Sequence, residues 1–430
     1  MRLVKVVRGP IRSFRVSRIA LQLAGILAFV SQVFAASPMG ELVVPADVPR
    51  SLDAVSRLLT TAQPNGLFKA GPFEFYPRVS GTVYYDDNIN STSANRLKDT
   101  VWTVAPGFAV AARNSDAERE KSFTLDYAPV FRFYIDNDQF DSVDHAARIG
   151  GRWSGSGLRI GFEQSFLAVS QPLPDVGGRA DQLTAATSLT SEWRLGYKTS
   201  LEVDAALTLT DYDQLTSSRD WSNSDWLSYR LSPKLSLAVG VVLGYLDVQS
   251  ATNQPSAGNP DQTYEQLRVR AVCFITEKLN LKASAGAELR QYRGGVDDTL
   301  APVWDVAGTY RPWRDTTFTL TFFQRYYNSA RSDNQNYLST GAGASIAQRL
   351  SDRFVATIEG NYGRLDYRAT VANVSSGRLD NTFRGRVGLD AHITDHWTAG
   401  IFYTYDRDSS NTGLFSYTKN QFGLQSSWRF

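Results

Sequence analysis

The sequence is poor in the residues that build disulfides and metal sites. Its 430 residues contain one cysteine, Cys273, and three histidines, His145, His392 and His396. A single cysteine cannot form an internal disulfide, so a disulfide-stabilised scaffold is excluded. These residues do not have zinc-ligand spacing, and the sequence has neither a phosphate-binding glycine loop nor a G-x-S-x-G elbow. We therefore expect no metal and no cofactor.

Long apolar runs are also missing after the first 35 residues. Residues 1–35 carry six cations and no acid, followed by an apolar run at 19–30 and by the small residues Val33 and Ala35. This pattern predicts a secretory signal peptide cleaved after Ala35, because the run is too short for a membrane-spanning helix. No later stretch has about 18 consecutive apolar residues, so helical membrane spans are not expected.

The small excess of positive charge belongs to the predicted signal peptide. The chain has 45 Lys and Arg against 43 Asp and Glu. Without the six cations of residues 1–35 the balance is 39 against 43, a net charge of about −4. A mature chain with no basic surplus is not expected to bind nucleic acid.

Segments of alternating polarity fill the chain from residue 73 onward. Leu267, Val269 and Ala271, for example, alternate with Arg268 and Arg270. Side chains of a strand point to two faces in turn, and each segment is long enough to cross a bilayer when tilted. Weak alternation at 219–231 leaves sixteen strands as the alternative to eighteen. The eighteen expected strands lie at 73–86, 99–112, 121–134, 141–153, 157–169, 182–194, 199–211, 219–231, 234–247, 262–275, 278–291, 301–311, 316–328, 336–349, 353–367, 379–392, 396–406 and 416–430.

The connections between these segments alternate in length. Links such as 87–98, 171–181, 247–261 and 369–377 are long and polar, whereas most intervening links are tight turns. Membrane barrels need this rhythm, with long loops outside and short turns in the periplasm. The predicted fold class is therefore all-β: a closed antiparallel transmembrane β-barrel at 73–430, in the bacterial outer membrane. Tryptophans sit at the short-turn ends, as an interfacial girdle requires: Trp153, Trp193, Trp313, Trp397 and Trp428.

The last predicted strand has one apolar and one polar face and ends on an aromatic residue. The apolar face carries Phe422, Leu424, Trp428 and Phe430. A terminal strand of this kind looks like the assembly signal of bacterial outer-membrane barrels. We therefore expect outer-membrane lipid and the barrel-assembly machinery as partners.

Cations recur on the face predicted to line the lumen, and acids share that face. One interpretation is a polar wall whose charges pair across strands. The other is a passage whose basic strip attracts anionic solutes such as acidic sugar polymers, because guanidinium groups bind carboxylates through two hydrogen bonds. The inward-facing Tyr84, Trp226, Phe274 and Phe323 are candidates for stacking on sugar rings. The candidate basic strip consists of Arg132, Arg148, Arg268, Arg270, Lys282, Arg325, Arg384 and Arg386.

Residues 36–72, between the predicted signal peptide and the barrel, form a separate periplasmic segment. Ser51 is positioned to cap a short helix at 52–61 with an apolar stripe. We keep three roles open for this segment: a tail that docks a partner, a plug that enters the barrel, or a leader without a site.

The first predicted strand ends in V-Y-Y-D-D-N-I at residues 83–89, and the second carries V-A-P-G at 104–107 after Asp99. This pattern resembles the outer-membrane β-barrel porin-2 family, which includes barrel proteins encoded with exopolysaccharide synthesis and export genes. The resemblance implies polysaccharide export as the context, with polysaccharide and periplasmic export proteins as partners. We interpret Asp86, Asp87 and Asn88 as structural residues of the turn that leaves the strand.

The expected function is a non-enzymatic outer-membrane channel that serves exopolysaccharide export. One alternative is a general or anion- or sugar-selective diffusion porin, with residues 247–261 as the constriction loop. The other is a barrel hydrolase, which would need an acid or serine beside His145 on the inner face. Strand alternation puts Asp144 inside and His145 outside, and Asp395-His396 falls in a periplasmic turn, so we expect no catalytic site.

Overall fold

The computed structural model describes residues 68–116, 119–251, 258–374 and 376–430. The predicted signal peptide (1–35), the predicted helix (52–61) and most of the segment 36–72 lie outside these residues. The described end of that segment forms a short strand, β1 (Phe68–Ala70), which pairs antiparallel with the strand that follows it. Gly71 makes the turn between them with a φ of +60°, a conformation that favours glycine.

Eighteen long antiparallel strands follow β1, which confirms the expected number rather than the alternative of sixteen. The weakly alternating segment forms a full strand and pairs with both neighbours. The strands are β2 (Phe73–Asp86), β3 (Asp99–Asp116), β4 (Arg119–Tyr134), β5 (Ser142–Ser154), β6 (Leu158–Leu173), β7 (Gly178–Arg194), β8 (Thr199–Tyr212), β9 (Ser217–Ser232), β10 (Leu235–Gln249), β11 (Gln262–Thr276), β12 (Leu279–Tyr292), β13 (Thr299–Tyr310), β14 (Thr316–Asn328), β15 (Gln335–Arg349), β16 (Phe354–Ala369), β17 (Leu379–His392), β18 (Trp397–Ser410) and β19 (Tyr417–Arg429).

The first and last of these strands pair with each other and close the sheet into a barrel. The ladder between β2 and β19 runs from the pair Asp86–Gln421 to the pair Arg78–Arg429. Closure matters because a strand edge left open in a bilayer would expose backbone groups that lipid cannot satisfy.

The outer face of the barrel is apolar. On β10, Leu237, Val239, Val241 and Leu243 are exposed, while the alternating small residues face the lumen. A belt of exposed Leu, Val, Ile and Phe around a closed barrel is stable in lipid and not in water, so the barrel belongs in the bacterial outer membrane. Within the described residues, no helix is long and apolar enough to cross a membrane.

The two rims of the barrel differ in the length of their connections. Turns such as 155–157, 233–234 and 277–278 lie at the rim where β2 begins, which is therefore the inner rim. Longer connections, including 87–98 and 370–378, lie at the outer rim. One expected long loop, 171–181, is instead a tight turn at 174–177, because β6 and β7 continue beyond their neighbours as a projecting hairpin.

Candidate functional site

The charged side chains of the lumen face are paired across strands. Arg270, for example, lies 2.5 Å from Glu202, and Arg268 lies 2.6 Å from Asp305. Because most of its cations face a nearby carboxylate, the predicted basic strip is largely a charge-balanced wall rather than a row of free cations. The pairs on this face are Arg78–Asp126, Arg132–Asp144, Arg148–Glu163, Arg159–Glu192, Arg268–Asp305, Arg270–Glu202, Arg325–Asp305 and Arg384–Asp406.

Two members of the predicted strip are placed differently. The Arg386 guanidinium donates to Gln425 Oε1 at 2.8 Å and lies 4.3 Å from the centre of the Phe402 ring. Lys282 is exposed to the lumen, and no ion pair to it is found in the described part of the chain. The structure thus distributes the eight cations around the wall and does not gather them into one patch.

Trp226 is enclosed by its neighbours. Its ring is 6% exposed, with the Arg270 guanidinium 4.4 Å from the ring centre on one side. On the other side lies Gly240, where an added Cβ would come within 2.4 Å of the ring. A sugar could stack on Trp226 only after Arg270 had moved.

The other three stacking candidates lie at different heights in the lumen. Tyr84 is packed against Phe402 with ring centres 6.3 Å apart, and Arg325 lies 5.1 Å from the Phe323 ring centre. Phe274, on the lumen face near the inner rim, is half exposed. The four rings therefore do not form a continuous stacking surface.

A hairpin formed by the outer ends of β6 and β7 leaves the wall and leans over the lumen. We call residues 169–182 the first inward hairpin. The β5–β6 ladder stops at the pair His145–Ala168, although β6 continues to Leu173. Above that pair, the Ser170 N–H donates to the carboxylate of Asp144 (3.1 Å), a residue of the lumen face. The hairpin therefore rests on the inner surface of β5.

The tip of the first inward hairpin, residues 174–177, is held by loops from the opposite side of the barrel. Asp175 accepts hydrogen bonds from Ser329 Oγ (3.1 Å to each carboxylate oxygen) and from the Ala330 N–H (2.7 Å). Arg378 donates to the carbonyls of Asp175 (2.6 Å) and Pro174 (3.0 Å). Asp175 is buried, so these bonds cross the mouth of the lumen in a site shielded from water.

Gly177 completes this tip. Its φ is +71°, and an added Cβ would lie 3.0 Å from the ring of Phe415, in the loop between β18 and β19. Both the backbone conformation and the close approach require glycine here. The Phe415 ring in turn stacks with the Arg378 guanidinium, whose carbon lies 3.4 Å from the ring centre.

Arg378 is electrostatically adapted to this position. Burial alone would lower the pKa of Arg378, but its hydrogen bond to Asp380 and the nearby Tyr367 and Asp175 outweigh burial and raise that pKa. The guanidinium therefore stays charged and can donate in several directions at once.

The outer ends of β14 and β15, with the turn 329–334, form a second inward hairpin. The β13–β14 ladder stops at the pair Trp304–Gln324, although both strands continue. Leu320 and Phe322 face the lipid, and Tyr326 continues their face, yet Tyr326 is buried with its ring centre 4.7 Å from the Arg290 guanidinium. Because Arg290 lies on the lumen face of β12, this hairpin has moved inside the wall.

Further outer loops brace the second inward hairpin. Ser250 donates to Asp333 at 2.5 Å, and the Thr216 N–H donates to the Ala330 carbonyl at 2.8 Å. The described ends of the predicted constriction loop, 247–261, thus contact other loops at the mouth.

The motif at residues 86–88 fastens the closure between β2 and β19. Asp86 accepts from Lys419 and from Gln421, each at 2.8 Å, and Asp87 accepts from the Asn420 N–H at 2.7 Å. Asn88 is fully buried and reaches the Thr418 carbonyl across the seam. The expected turn role is therefore only part of what these residues do.

The candidate hydrolase residues do not meet. Asp144 faces the lumen, 2.9 Å from Arg132. His145 faces outward, and its Nδ1 lies 3.0 Å from the Tyr127 hydroxyl. Among the described residues, no group of three or more His, Cys, Asp or Glu could hold a metal ion.

Sequence reasoning missed the contact between the two inward hairpins. Asp175 and Gly177 lie in the run P-L-P-D-V-G-G, which reads as an ordinary polar loop. Their partners are distant in sequence, so no local pattern links Asp175 to Ser329 or to Arg378. The terminal residues Phe422, Leu424, Trp428 and Phe430 all lie exposed on the outer face, and their role in assembly stays a prediction.

Known proteins give only a general likeness. No family model matches the chain, and no curated protein matches it. Acinetobacter baumannii OccAB3 is similar at 10% identity over 83% of this chain and 99% of its own, with a TM-score of 0.43. Pseudomonas aeruginosa OccK3 (OpdO) gives 11% identity over 83% and 95%, with a TM-score of 0.43, and the copper transporter OprC gives 11% over 83% and 65%, with 0.45. At these scores the strand pairing itself, and not the likeness, defines the barrel.

Proposed function

We propose that the protein is a non-enzymatic outer-membrane channel for a polar solute, closed at its outer mouth by the two inward hairpins. The observation that carries this proposal is the buried contact of Asp175 with Ser329 and Ala330 across the mouth. Below it lies a charge-balanced polar wall, which suits water and polar solutes. Barrels of about 16–18 strands are wide enough for an aqueous channel, so contacts across the mouth can decide whether one conducts.

Exopolysaccharide is the solute we propose. The support is the V-Y-Y-D-D-N-I and V-A-P-G pattern at residues 83–89 and 104–107, which resembles a family linked to exopolysaccharide export. A lumen with alternating cations and acids offers hydrogen bonds to sugar hydroxyls without holding one charged group tightly. Export of the polymer would then require the two inward hairpins to separate.

Single-channel conductance of the purified mature protein tests the channel. We expect small or rare currents from the unmodified protein and larger, longer openings from Asp175→Ala, because Arg378 keeps its partner Asp380 while the bonds to Ser329 and Ala330 are lost. Gly177→Val should act in the same direction through its clash with Phe415. Asp138→Ala, an exposed acid in another outer loop, is the matched control.

Each outcome assigns the function differently. Large steady currents from the unmodified protein would contradict a closed mouth and favour a diffusion porin. Silence of every variant would contradict the channel, unless removal of residues 36–67 restores current and identifies that segment as the plug. On open Asp175→Ala channels, acidic oligosaccharides should produce transient blockades at concentrations where glycerol does not.

A further inference from the structure

The seam between β13 and β14 is open along its outer part. Both strands are described there, yet no ladder joins residues 299–303 to residues 325–328. One bond continues the seam, from Gln324 Nε2 to the carbonyl of Pro302 at 2.7 Å. Proline has no N–H to give to a ladder and is tolerated in sheets at edges, so Pro302 suits a strand whose neighbour has moved away.

This opening lies at the level of the bilayer. Leu300 is 71% exposed on the outer face of β13, and Leu320 and Phe322 are exposed on β14. Exposed backbone groups beside lipid are costly unless a polar partner reaches them. Leu300, Leu320 and Phe322 make the outer lip of the seam apolar, and residues 299–303 and 325–328 lack the ladder that joins the rest of the two strands.

Behind the seam, buried polar side chains fill the space between two layers. Its outer layer is the lumen face of β11 and β12, and its inner layer is the back of the second inward hairpin. Asn336, on that back face, donates through Nδ2 to Gln262 Oε1 and to the Tyr292 hydroxyl, each at 3.1 Å. Arg290 donates to the same Gln262 oxygen at 2.8 Å. We call this cluster of Gln262, Arg290, Tyr292, Tyr326 and Asn336 the slot.

One polar atom of the slot is buried without a partner among the described residues. Asn336 is 0% exposed, and its Oδ1 accepts no hydrogen bond. A buried amide oxygen left unpaired is costly, so a polar group that enters this cluster and donates to Asn336 Oδ1 is stabilised there. The slot therefore combines donors with a free acceptor directly behind an apolar lip.

The comparable gap at β5–β6 is sealed by charge. There Asp144 accepts from the Ser170 N–H, and Arg132 donates to the Ser170 carbonyl at 3.2 Å while pairing with Asp144 at 2.9 Å. At β13–β14 the continuing bond is a single neutral one. Of these two gaps, the second is the easier to open.

We propose that the β13–β14 seam is a lateral portal, through which the saccharide head of an outer-leaflet glycolipid enters the slot while its acyl chains stay in the bilayer. Sugar hydroxyls both donate and accept, so an entering head can donate to Asn336 Oδ1 and share the Arg290 guanidinium, which already donates to Glu288 (2.7 Å) and Gln262. The apolar lip at Leu300 and Phe322 matches the chains. The portal does not depend on axial conductance, so it can hold whether or not the channel proposal fails.

Site-specific photocrosslinking tests the portal. The photoreactive residue p-benzoylphenylalanine is placed at Tyr326 in the slot, at Leu320 on the lipid face and at Tyr134, which is buried on the lumen face of β4. The protein is reconstituted in phosphatidylcholine vesicles that contain tritiated rough lipopolysaccharide, the glycolipid probe. We expect position 326 to label lipopolysaccharide, position 320 to label both lipids, and position 134 to label neither.

A lock across the seam makes the test specific. Continuing the register from Trp304–Gln324 places Val303 opposite Arg325, so Val303→Cys and Arg325→Cys can be joined by a bismaleimide in a Cys273→Ser background. The lock should abolish glycolipid labelling from position 326 and leave labelling from 320 unchanged. Persistent labelling from 326 after locking would mean another route and would overturn the portal.

Two further results would also overturn it. Absence of lipopolysaccharide labelling from 326 would exclude entry of the head, provided that the variant keeps the heat-modifiable electrophoretic mobility of a folded barrel. Equal labelling of phosphatidylcholine from 326 would exclude a preference for a saccharide head. If the variant at 326 does not fold, Asn328, two residues further along the same face of β14, is the second labelling position. Asn336→Leu, which removes the free acceptor, should reduce labelling from either position.

Discussion

The seam between β2 and β19 and the seam between β13 and β14 are joints of the same closed sheet, but they are held differently. At the first, the ladder reaches the pair Asp86–Gln421 at the outer end, and buried Asp86 adds bonds to Lys419 and Gln421. At the second, the ladder stops at Trp304–Gln324 and one side chain continues it.

Chain connectivity accounts for the difference. β13 and β14 are joined by the short inner-rim turn at 311–315, so they stay together even where their outer ends separate. β2 and β19 come from opposite ends of the barrel sequence, and only non-covalent bonds hold them side by side. Bringing such distant segments together costs more loop-closure entropy, so their seam needs a stronger fastening.

Removal of the buried charge at the β5–β6 seam should have the largest effect. Asp144→Ala leaves the Arg132 guanidinium without its carboxylate in a nearly buried site, and we expect a loss of about 3–5 kcal/mol in the free energy of unfolding. Urea unfolding in lipid vesicles measures it. Glu163→Ala, which breaks the more exposed Arg148–Glu163 pair between β5 and β6, should cost about 1 kcal/mol or less. Equal losses would show that burial does not govern these pairs.

Weakening the closure seam, between β2 and β19, should have the second-largest effect on stability. Asp86→Ala removes an acceptor used by Lys419, by Gln421 and by the Asn88 N–H, and we expect a loss of about 2 kcal/mol. The same urea titration gives the value, and a lower midpoint should appear with an unchanged slope. An unaffected midpoint would mean that the backbone ladder alone closes the barrel.

The architecture could be predicted from the sequence because it rests on local patterns. Alternation with a period of two defines each strand, and links of alternating length orient the barrel, as at 87–98 and 155–157. Even the weakly alternating β9 (Ser217–Ser232) lies where it was expected. The link 171–181 misled because its prolines and glycines resemble a loop, whereas they form a tight turn on a long hairpin.

The closed mouth and the slot could not be predicted, because both depend on where strands leave the wall. Alternation along β14 assigns Leu320, Phe322 and Tyr326 to the lipid face. The assignment is correct for Leu320 and Phe322, where β14 still pairs with β13. After Gln324 the strand moves inside the barrel, so Tyr326 contacts Arg290 instead of lipid. Likewise, the pairing of Arg270 with Glu202 is a relation between strands β11 and β8, which no pattern within one strand contains.

Removing a bond at the β13–β14 seam should lower the free energy of unfolding less than removing Asp86 from the closure seam. Gln324→Ala removes the bond to the Pro302 carbonyl, and we expect a loss of about 1 kcal/mol, half that of Asp86→Ala. The variant should also increase glycolipid labelling from position 326, since the bond that continues the seam is gone. If Gln324→Ala lowers the free energy of unfolding as much as Asp86→Ala does, the bonds at the two seams contribute equally to stability and the contrast between the seams is wrong.

The smallest expected effect is a pH dependence of stability caused by one carboxyl group in the loop before β5. Asp141, just before β5, has a raised pKa, caused first by burial and then by Asp138 and Asp99, against the bond from the Tyr134 N–H. Because the folded protein holds this proton more tightly, stability should fall slightly as pH rises from the ordinary pKa of Asp, about 3.9, through the raised value. Asp141→Asn should flatten that decline without changing the Asp144→Ala loss. Parallel pH profiles for the variant and the unmodified protein would assign the decline to other carboxylates.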